Sequence, residues 1–333
     1  MRLNIVGNGF DLYHGLPCKY YYFGCFLAKN YYHFYEEMSK MYNFTYCKLV
    51  GYEEVETYVD DIFWKTFEER LGVLDPTWME GSLMDDLGLE NDDPVDIEMP
   101  EESNSERIKE KFCEWIRVTV DLTENYKTIK SKIGKEKLKL SKRDYYVNFN
   151  YTKTLEEIYK IPESHVFHIH GLCDDERGSN LIIGHGNDEA IRWLDERINE
   201  IKNETYYLAE QSERNRLNEY KCEQLILSDL RKNVESLIED LRYELDYAKI
   251  NVDEIYVWGL SCGEVDRPYI KFLQEKYPSA KWKFSYYTIE EIAAREKLVE
   301  KLGLENVEYF ELNNPNAEEI CQDLVLQNGI EEL

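Results

Sequence analysis

The chain has 333 residues, enough to bury a sizeable core in one large domain or two ordinary ones. Its 67 acidic against 40 basic residues give a formal net charge of -27, a field that repels phosphate backbones and so disfavours broad binding to nucleic acid or to anionic membranes. The eight cysteines include no CxxC pair, which removes the zinc-ribbon and thioredoxin-type patterns, and no stretch approaches the roughly 20 apolar residues of a membrane span.

The N-terminus enters a strand at once and lacks a signal-peptide pattern, so a reducing cytoplasm is the expected compartment. Near-continuous apolar runs at Leu3 to Val6, Tyr145 to Phe149, Val166 to Ile169, Leu181 to Ile183, Ile255 to Trp258, Trp282 to Tyr287 and Val307 to Phe310 read as strands of a sheet covered on both faces. Helical patterns lie between them, so the predicted fold is α/β, a single domain over residues 1–333 with a doubly wound, mostly parallel sheet.

Two long stretches interrupt that rhythm and are expected to be helical insertions. In the first, residues 20–143, Val55, Val59, Ile62, Phe63, Phe67 and Leu71 follow helical spacing, as do Ile108, Phe112, Trp115, Ile116, Thr119, Leu122, Tyr126 and Ile129. An acidic loop at residues 80–106, with eleven carboxylates and no Lys or Arg, separates the two helices, and residues 127–143 then carry eight Lys or Arg against one Glu. In the second, residues 190–250, Leu230, Val234, Leu237, Leu241 and Leu245 form a stripe that fits an intramolecular helical hairpin or the seam of a homo-oligomer. The aromatic crowding from Tyr20 to Phe26 and Tyr31 to Tyr35 reads as helix packing rather than as a stacking platform.

The chemistry-bearing residues gather at predicted strand ends. Gly7-Asn8-Gly9-Phe10-Asp11 follows the first strand, where glycines let a phosphate or ribose come close to backbone N–H groups, although the third glycine of the dinucleotide fingerprint is missing. Asn150 leaves the strand ending Asn148-Phe149, before Tyr151 and Thr152, and its amide both donates and accepts. In His165-Val166-Phe167-His168-Ile169-His170-Gly171, alternation puts His168 and His170 on one face; His168 reads as structural, and His170 as a proton acceptor facing a ligand. No acidic or Cys ligand accompanies the His pair, so no metal is assigned. Ile182 to Asn187, with His185, and Gly259-Leu260-Ser261-Cys262-Gly263-Glu264-Val265-Asp266 complete the set. Ligands of open α/β sheets sit at the carboxyl ends of strands, and the expectation is a nucleotide pocket there.

As an ordered set, Gly7 to Leu12 with His14-Gly15-Leu16-Pro17, Asn148 to Thr152 with Thr154-Leu155-Glu156, His168 to Gly171, and Gly259 to Tyr269 resemble the bacteriophage abortive-infection AbiH family. That family in turn resembles a distant branch of the sirtuin-like, NAD-binding Rossmann-type fold. The resemblance implies NAD or a related nucleotide as substrate or ligand, with Gly7, Asn8, Gly9, Phe10, Asp11, Tyr151, Gly259, Ser261 and Asp266 in binding it. It implies Asn150 and His170 as the catalytic pair of an NAD glycohydrolase, in a phage-defence effector answering to a phage trigger or a regulatory protein. Asp11 stands where sirtuins carry a serine, Thr152 where an Asp commonly follows the Asn, and the zinc module of sirtuin deacylases is missing, which argues against deacylation. The other function class that fits the same residues is a nucleotide-binding sensor without turnover.

Overall fold

A computed structural model describes residues 1–49, 55–75, 104–173, 180–204, 211–263 and 265–330. The acidic loop expected at residues 80–106 lies outside them up to residue 103. The chain divides into two compact units, one of Met1–Tyr22, Cys113–Leu181 and Asn233–Glu331, the other of Phe23–Phe112, Ile182–Lys232 and Glu332–Leu333.

In chain order the strands are β1 (Arg2–Val6), β2 (Cys47–Leu49), β3 (Val55–Thr57), β4 (Tyr145–Asn148), β5 (Val166–His168), β6 (Glu254–Trp258), β7 (Lys281–Tyr286) and β8 (Val307–Glu311). The first unit holds a sheet of order β5-β4-β1-β6-β7-β8 in which every neighbouring pair is parallel. The chain winds outward from β1 to β4 and β5, then restarts on the other side of β1 with β6, β7 and β8. This is the doubly wound Rossmann-type order, and its switch point falls between β1 and β6.

Beyond Arg2 the central strand β1 is covered on both faces, with Leu3 and Ile5 fully buried on one and Val6 buried on the other. One polar residue interrupts it. Asn4 is buried, and its amide is satisfied at both ends: Nδ2 donates to the Tyr145 carbonyl at 3.3 Å and Oδ1 accepts from Trp258 Nε1 at 3.0 Å. One side chain thus ties β1 to both of its neighbours.

Six of the seven predicted strands form. Leu181 to Ile183 does not: the segment is irregular, and the nearest pairing is an isolated parallel bridge from His185 to Arg231 within the second unit. Leu181 and Ile183 are buried without joining the sheet, so an apolar run there reflects burial and not a ladder. Gly184 to Asn187 is therefore no strand end of this sheet.

The first insertion also differs from its predicted pattern. Val55 opens a two-stranded ribbon, β2 with β3, and the helical part is reduced to Asp61–Lys65 and Phe67–Arg70, with Ile62 exposed. Asp60 caps that first helix by accepting from the N–H groups of Ile62 and Phe63. The long helix predicted through Ile129 runs as Asn104–Trp115, passes into a π-helical turn at Ile116–Val120, and resumes at Thr123–Lys132. Asp121, directly after the wide turn, becomes a residue of the site.

The second unit packs around aromatic side chains. Phe44 stacks on Phe63 at 4.2 Å, Trp64 meets Phe67 at 5.0 Å, and Phe23 meets Phe112 edge-on at 5.2 Å. Of the aromatics crowded near the N-terminus, Phe23, Phe34 and Tyr35 are buried in this unit, while Tyr32 is exposed. In the leucine stripe, Leu237, Leu241 and Leu245 are buried on helix Val234–Ala248, which packs on helix Arg267–Lys276. Those leucines serve an intramolecular contact. In the basic stretch, Lys127 pairs with Glu124, Lys130 with Glu157, and Lys132 with Glu319 and Asp323.

Candidate active site

The switch point brings two loops together. Gly7 N–H donates to the Trp258 carbonyl at 2.9 Å, Gly9 N–H to the Gly259 carbonyl at 2.8 Å, and Phe10 N–H to the Gly7 carbonyl at 2.9 Å. These N–H groups, expected to meet a phosphate, are bonded inside the protein. What the glycines provide is closeness: a Cβ on Gly9 would stand 2.7 Å from Gly259 Cα, and one on Gly7 2.6 Å from Leu260 Cα. Gly259 itself has φ +62, the left-handed region, where its N–H donates to Ser285 Oγ at 2.7 Å. Gly9→Ala or Gly259→Ala is expected to cost about 2–3 kcal/mol by prising the loops apart, seen as a lower urea midpoint; an unchanged midpoint would show that the loops yield freely.

The other residues of the glycine turn take different places. Asn8 is exposed and pinned by Cys18, whose thiol donates to its Oδ1 at 2.9 Å. Phe10 is fully buried against His14 and Tyr159, so it supports the turn from within. His14 links the Phe10 carbonyl and the Tyr159 hydroxyl, each at 2.6 Å, and burial lowers its pKa to about 4, so it stays neutral. Asp11 is 1% exposed; Oδ2 accepts from Thr152 Oγ1 at 2.5 Å, and Oδ1 meets no donor at hydrogen-bonding distance among the described residues. Burial pushes this carboxyl up to about 7, against the hydroxyls of Thr152 and Thr154, which hold it down. Asp11 and Thr152 are thus bonded to each other.

After β4 the chain turns on its own side chains. Asn148 Oδ1 accepts from Asn150 N–H at 3.0 Å, and its Nδ2 donates to the Thr152 carbonyl at 3.2 Å. Asn150 then points its Nδ2 at the Gly7 carbonyl, 3.0 Å away, which ties it to the end of β1. Below the turn, Asp121 Oδ1 accepts from Lys153 N–H at 3.0 Å and from the Tyr126 hydroxyl. Burial raises the pKa of Asp121 as well.

His168 and His170 have different work. His168 Nε2 pairs with Glu156 Oε1 at 2.9 Å, and Nδ1 faces Asn148 Nδ2 at 3.4 Å, a structural imidazole as expected. β5 ends at His168, so strand alternation does not reach His170; the turn at Gly171, φ +77, places it instead. His170 Nδ1 lies 3.2 Å from the Phe149 carbonyl, which fixes the proton on Nδ1 and makes Nε2 the basic atom of the neutral ring. The ring meets Phe149 edge-on at 5.2 Å and stacks on Tyr151 at 6.1 Å. His170 is thereby held by the two residues that flank Asn150.

On the β6 side, Ser261 is exposed, Asp266 is half-buried ahead of helix Arg267–Lys276, and the Ser261 carbonyl accepts from Arg295 Nη1 at 2.9 Å. Cys262 is buried with φ +57, and its thiol is pushed up to about 12, which keeps it protonated and unreactive. His185 belongs to the second unit, where Nε2 meets the Leu227 carbonyl and Nδ1 accepts from Asn187 N–H, both at 2.9 Å; it is a structural residue. Asp121 and Ser285 join the site without having been singled out, while Thr154 and Glu156 stood in the resembling set with no role assigned.

Among the described residues, no helix is long and apolar enough to cross a membrane, and no group of three or more His, Cys, Asp or Glu side chains could hold a metal ion. Neither the curated proteins nor the solved structures contain a match to this chain. The family described as Bacteriophage abortive infection AbiH matches residues 3–286, the span that carries the glycine turn, the Asn150 turn, His170 and the β6 exit loop. The chain belongs to the AbiH family and has its role in abortive infection by bacteriophage.

Proposed function

We propose that this AbiH protein acts in abortive infection by hydrolysing the nicotinamide N-glycosidic bond of NAD, in a sirtuin-like site at the carboxyl edge of the sheet. The observation that carries the proposal is the joint placement of the pair: His170 is bonded to Phe149 and stacked on Tyr151, with Asn150 between them and anchored to Gly7. The place is the switch point of a doubly wound sheet, where such folds take dinucleotides.

The chemistry needs few groups. Nicotinamide in NAD is a cationic pyridinium and departs as a neutral base, so no acid has to protonate it, unlike the leaving alcohol of ordinary glycosidases. Water attacks the ribose carbon as that bond breaks, and His170 Nε2 accepts the proton that the water or a ribose hydroxyl gives up. Asn150, with Nδ2 on the Gly7 carbonyl, offers Oδ1 to orient the attacking water. Because the N–H groups of Gly7 and Gly9 are already bonded, the phosphates are assigned to the exposed edge of the site instead: Asn8, Ser261 and the Arg295 guanidinium. Tyr151, Gly259 and Asp266 complete the proposed ligand set.

Asn150 is 6% and His170 4% exposed, so a dinucleotide reaches them only when the cover over the pair moves. That closure suits an activity that must stay silent in an uninfected cytoplasm, because constitutive NAD loss would harm the host; a phage product or a regulatory protein is the proposed release. The test is incubation of the purified protein with NAD at several protein concentrations, followed by chromatography. Release of nicotinamide and ADP-ribose is expected. Recovery of intact NAD, bound and unturned, would instead identify a nucleotide-binding sensor.

A further inference from the structure

We propose that Asp11 is a positioning residue whose carboxylate, acting through Thr152, sets the turn that presents Asn150. The proposal rests on the NAD-cleaving function above and adds to it a side chain that touches no substrate.

The path is continuous on hydrogen bonds. Asp11 Oδ2 accepts from Thr152 Oγ1 at 2.5 Å, and Thr152 Oγ1 in turn lies 3.2 Å from Thr154 Oγ1, so the carboxylate orients both hydroxyls in one direction. The Thr152 carbonyl is held by Asn148 Nδ2 at 3.2 Å, and Asn148 Oδ1 holds Asn150 N–H at 3.0 Å. Asp11 is thus two side chains away from the backbone of Asn150, whose own amide also helps to hold the Asp11 carboxyl down, while the Asp11 helix, Asn8–Tyr13, leaves directly from the end of β1. The turn on the β4 side and the turn on the β1 side are fixed to each other at two points, Asn150 on Gly7 and Thr152 on Asp11.

The placement is costly in a way that packing alone does not explain. A carboxyl that is 1% exposed, with one oxygen meeting no donor, is expensive compared with a serine or a leucine. The charge named as acting on it is another carboxyl, Asp121, which raises its cost further, and it in turn acts on Cys18 and Tyr126. A cost carried where a proposed catalytic turn is anchored is what a positioning role requires. Asp121, holding Lys153 N–H from the other side, makes the turn able to survive loss of Asp11, so the expected consequence is a looser turn in a folded protein.

The test exchanges the two partners. Asp11→Ser and Thr152→Asp each break the pair, while the two together keep the summed reach of the side chains with the hydroxyl and carboxylate on opposite loops. Each single variant should lower kcat on NAD by about 100-fold with little change in KM, and amide hydrogen exchange of residues 149–152 should quicken in parallel. The double exchange should recover most of both. Asp11→Asn, which keeps an acceptor oxygen for Thr152, should lose far less than Asp11→Ser. The proposal is overturned if Asp11→Ser matches the wild type in kcat and in exchange, if the double exchange is no better than the worse single variant, or if Asp11→Asn loses as much as Asp11→Ser. Should the wild type release no nicotinamide, the NAD function fails separately, and the exchange rates alone decide whether Asp11 holds the turn.

Discussion

Alanine at His170 or Asn150 is expected to give a folded protein that no longer releases nicotinamide. For His170 the loss should reach about 10³-fold in kcat, the usual contribution of a positioned general base. The ring also fills space between Phe149 and Tyr151, so truncation costs stability, about 2 kcal/mol. His170→Gln keeps more of that volume without a basic nitrogen of comparable strength, and it should be as inactive as the alanine variant while more stable. Asn150→Ala should cost about 10²-fold through lost orientation of water. Its effect on the fold is limited, because the Gly7 carbonyl keeps the bond from Phe10 N–H at 2.9 Å when the Asn150 amide is gone. Turnover and thermal midpoint measured together separate the two effects. Wild-type turnover in both alanine variants would remove the pair from the mechanism.

The second large effect is on stability and depends on pH. The Asp11 carboxyl sits near 3.8 in an unfolded chain and is pushed up to about 7 in the folded protein, chiefly by burial. Below the unfolded value both states hold the proton and nothing is lost. As pH rises from there to about 7, the unfolded chain releases its proton while the folded one keeps it, so stability falls by about 1.4 kcal/mol per unit. Above about pH 7 both are ionised, and the full penalty, on the order of 4 kcal/mol, is in place. Asp11→Asn has no such proton. It should match the wild type in urea unfolding near pH 4 and exceed it increasingly up to about pH 8. His14 works in the opposite sense: held down to about 4 by burial, it costs stability as pH falls from 6.5 towards that value. Both proteins carry His14, so its contribution cancels in the difference. An equal advantage for Asp11→Asn at both ends of the range would mean that Asp11 ionises in the fold without penalty.

Much of the fold was legible in the sequence because strands of a parallel sheet covered on both faces are short and rich in apolar and aromatic residues, and β1, β4, β6 and β7 each carry such residues at their buried positions. Leu181 to Ile183 carries the same signal for a different reason, since burial in an irregular segment selects the same residues as burial in a ladder. The π-helical turn at Ile116–Val120 was hidden because one widened turn barely alters an apolar spacing, yet it brings Asp121 to the turn below Asn150. The glycines at 7, 9 and 259 were visible as glycines. That Gly9 and Gly259 serve each other was not, because the partners are far apart in sequence and their bond exists only once β6 has been placed beside β1. Asp11 and Thr152 each read singly as a departure from a pattern; the hydrogen bond between them shows one feature in place of two.

The most direct measurement is NAD incubated with the protein in heavy-oxygen water, with His170→Ala beside it and the products weighed by mass spectrometry. Hydrolysis at the site described predicts ADP-ribose that has taken up heavy oxygen from the solvent, together with free nicotinamide, and neither from the variant. Nicotinamide released with its ADP-ribosyl group carried to an acceptor other than water, or undiminished release of both products by the variant, would contradict an attack by water that depends on His170.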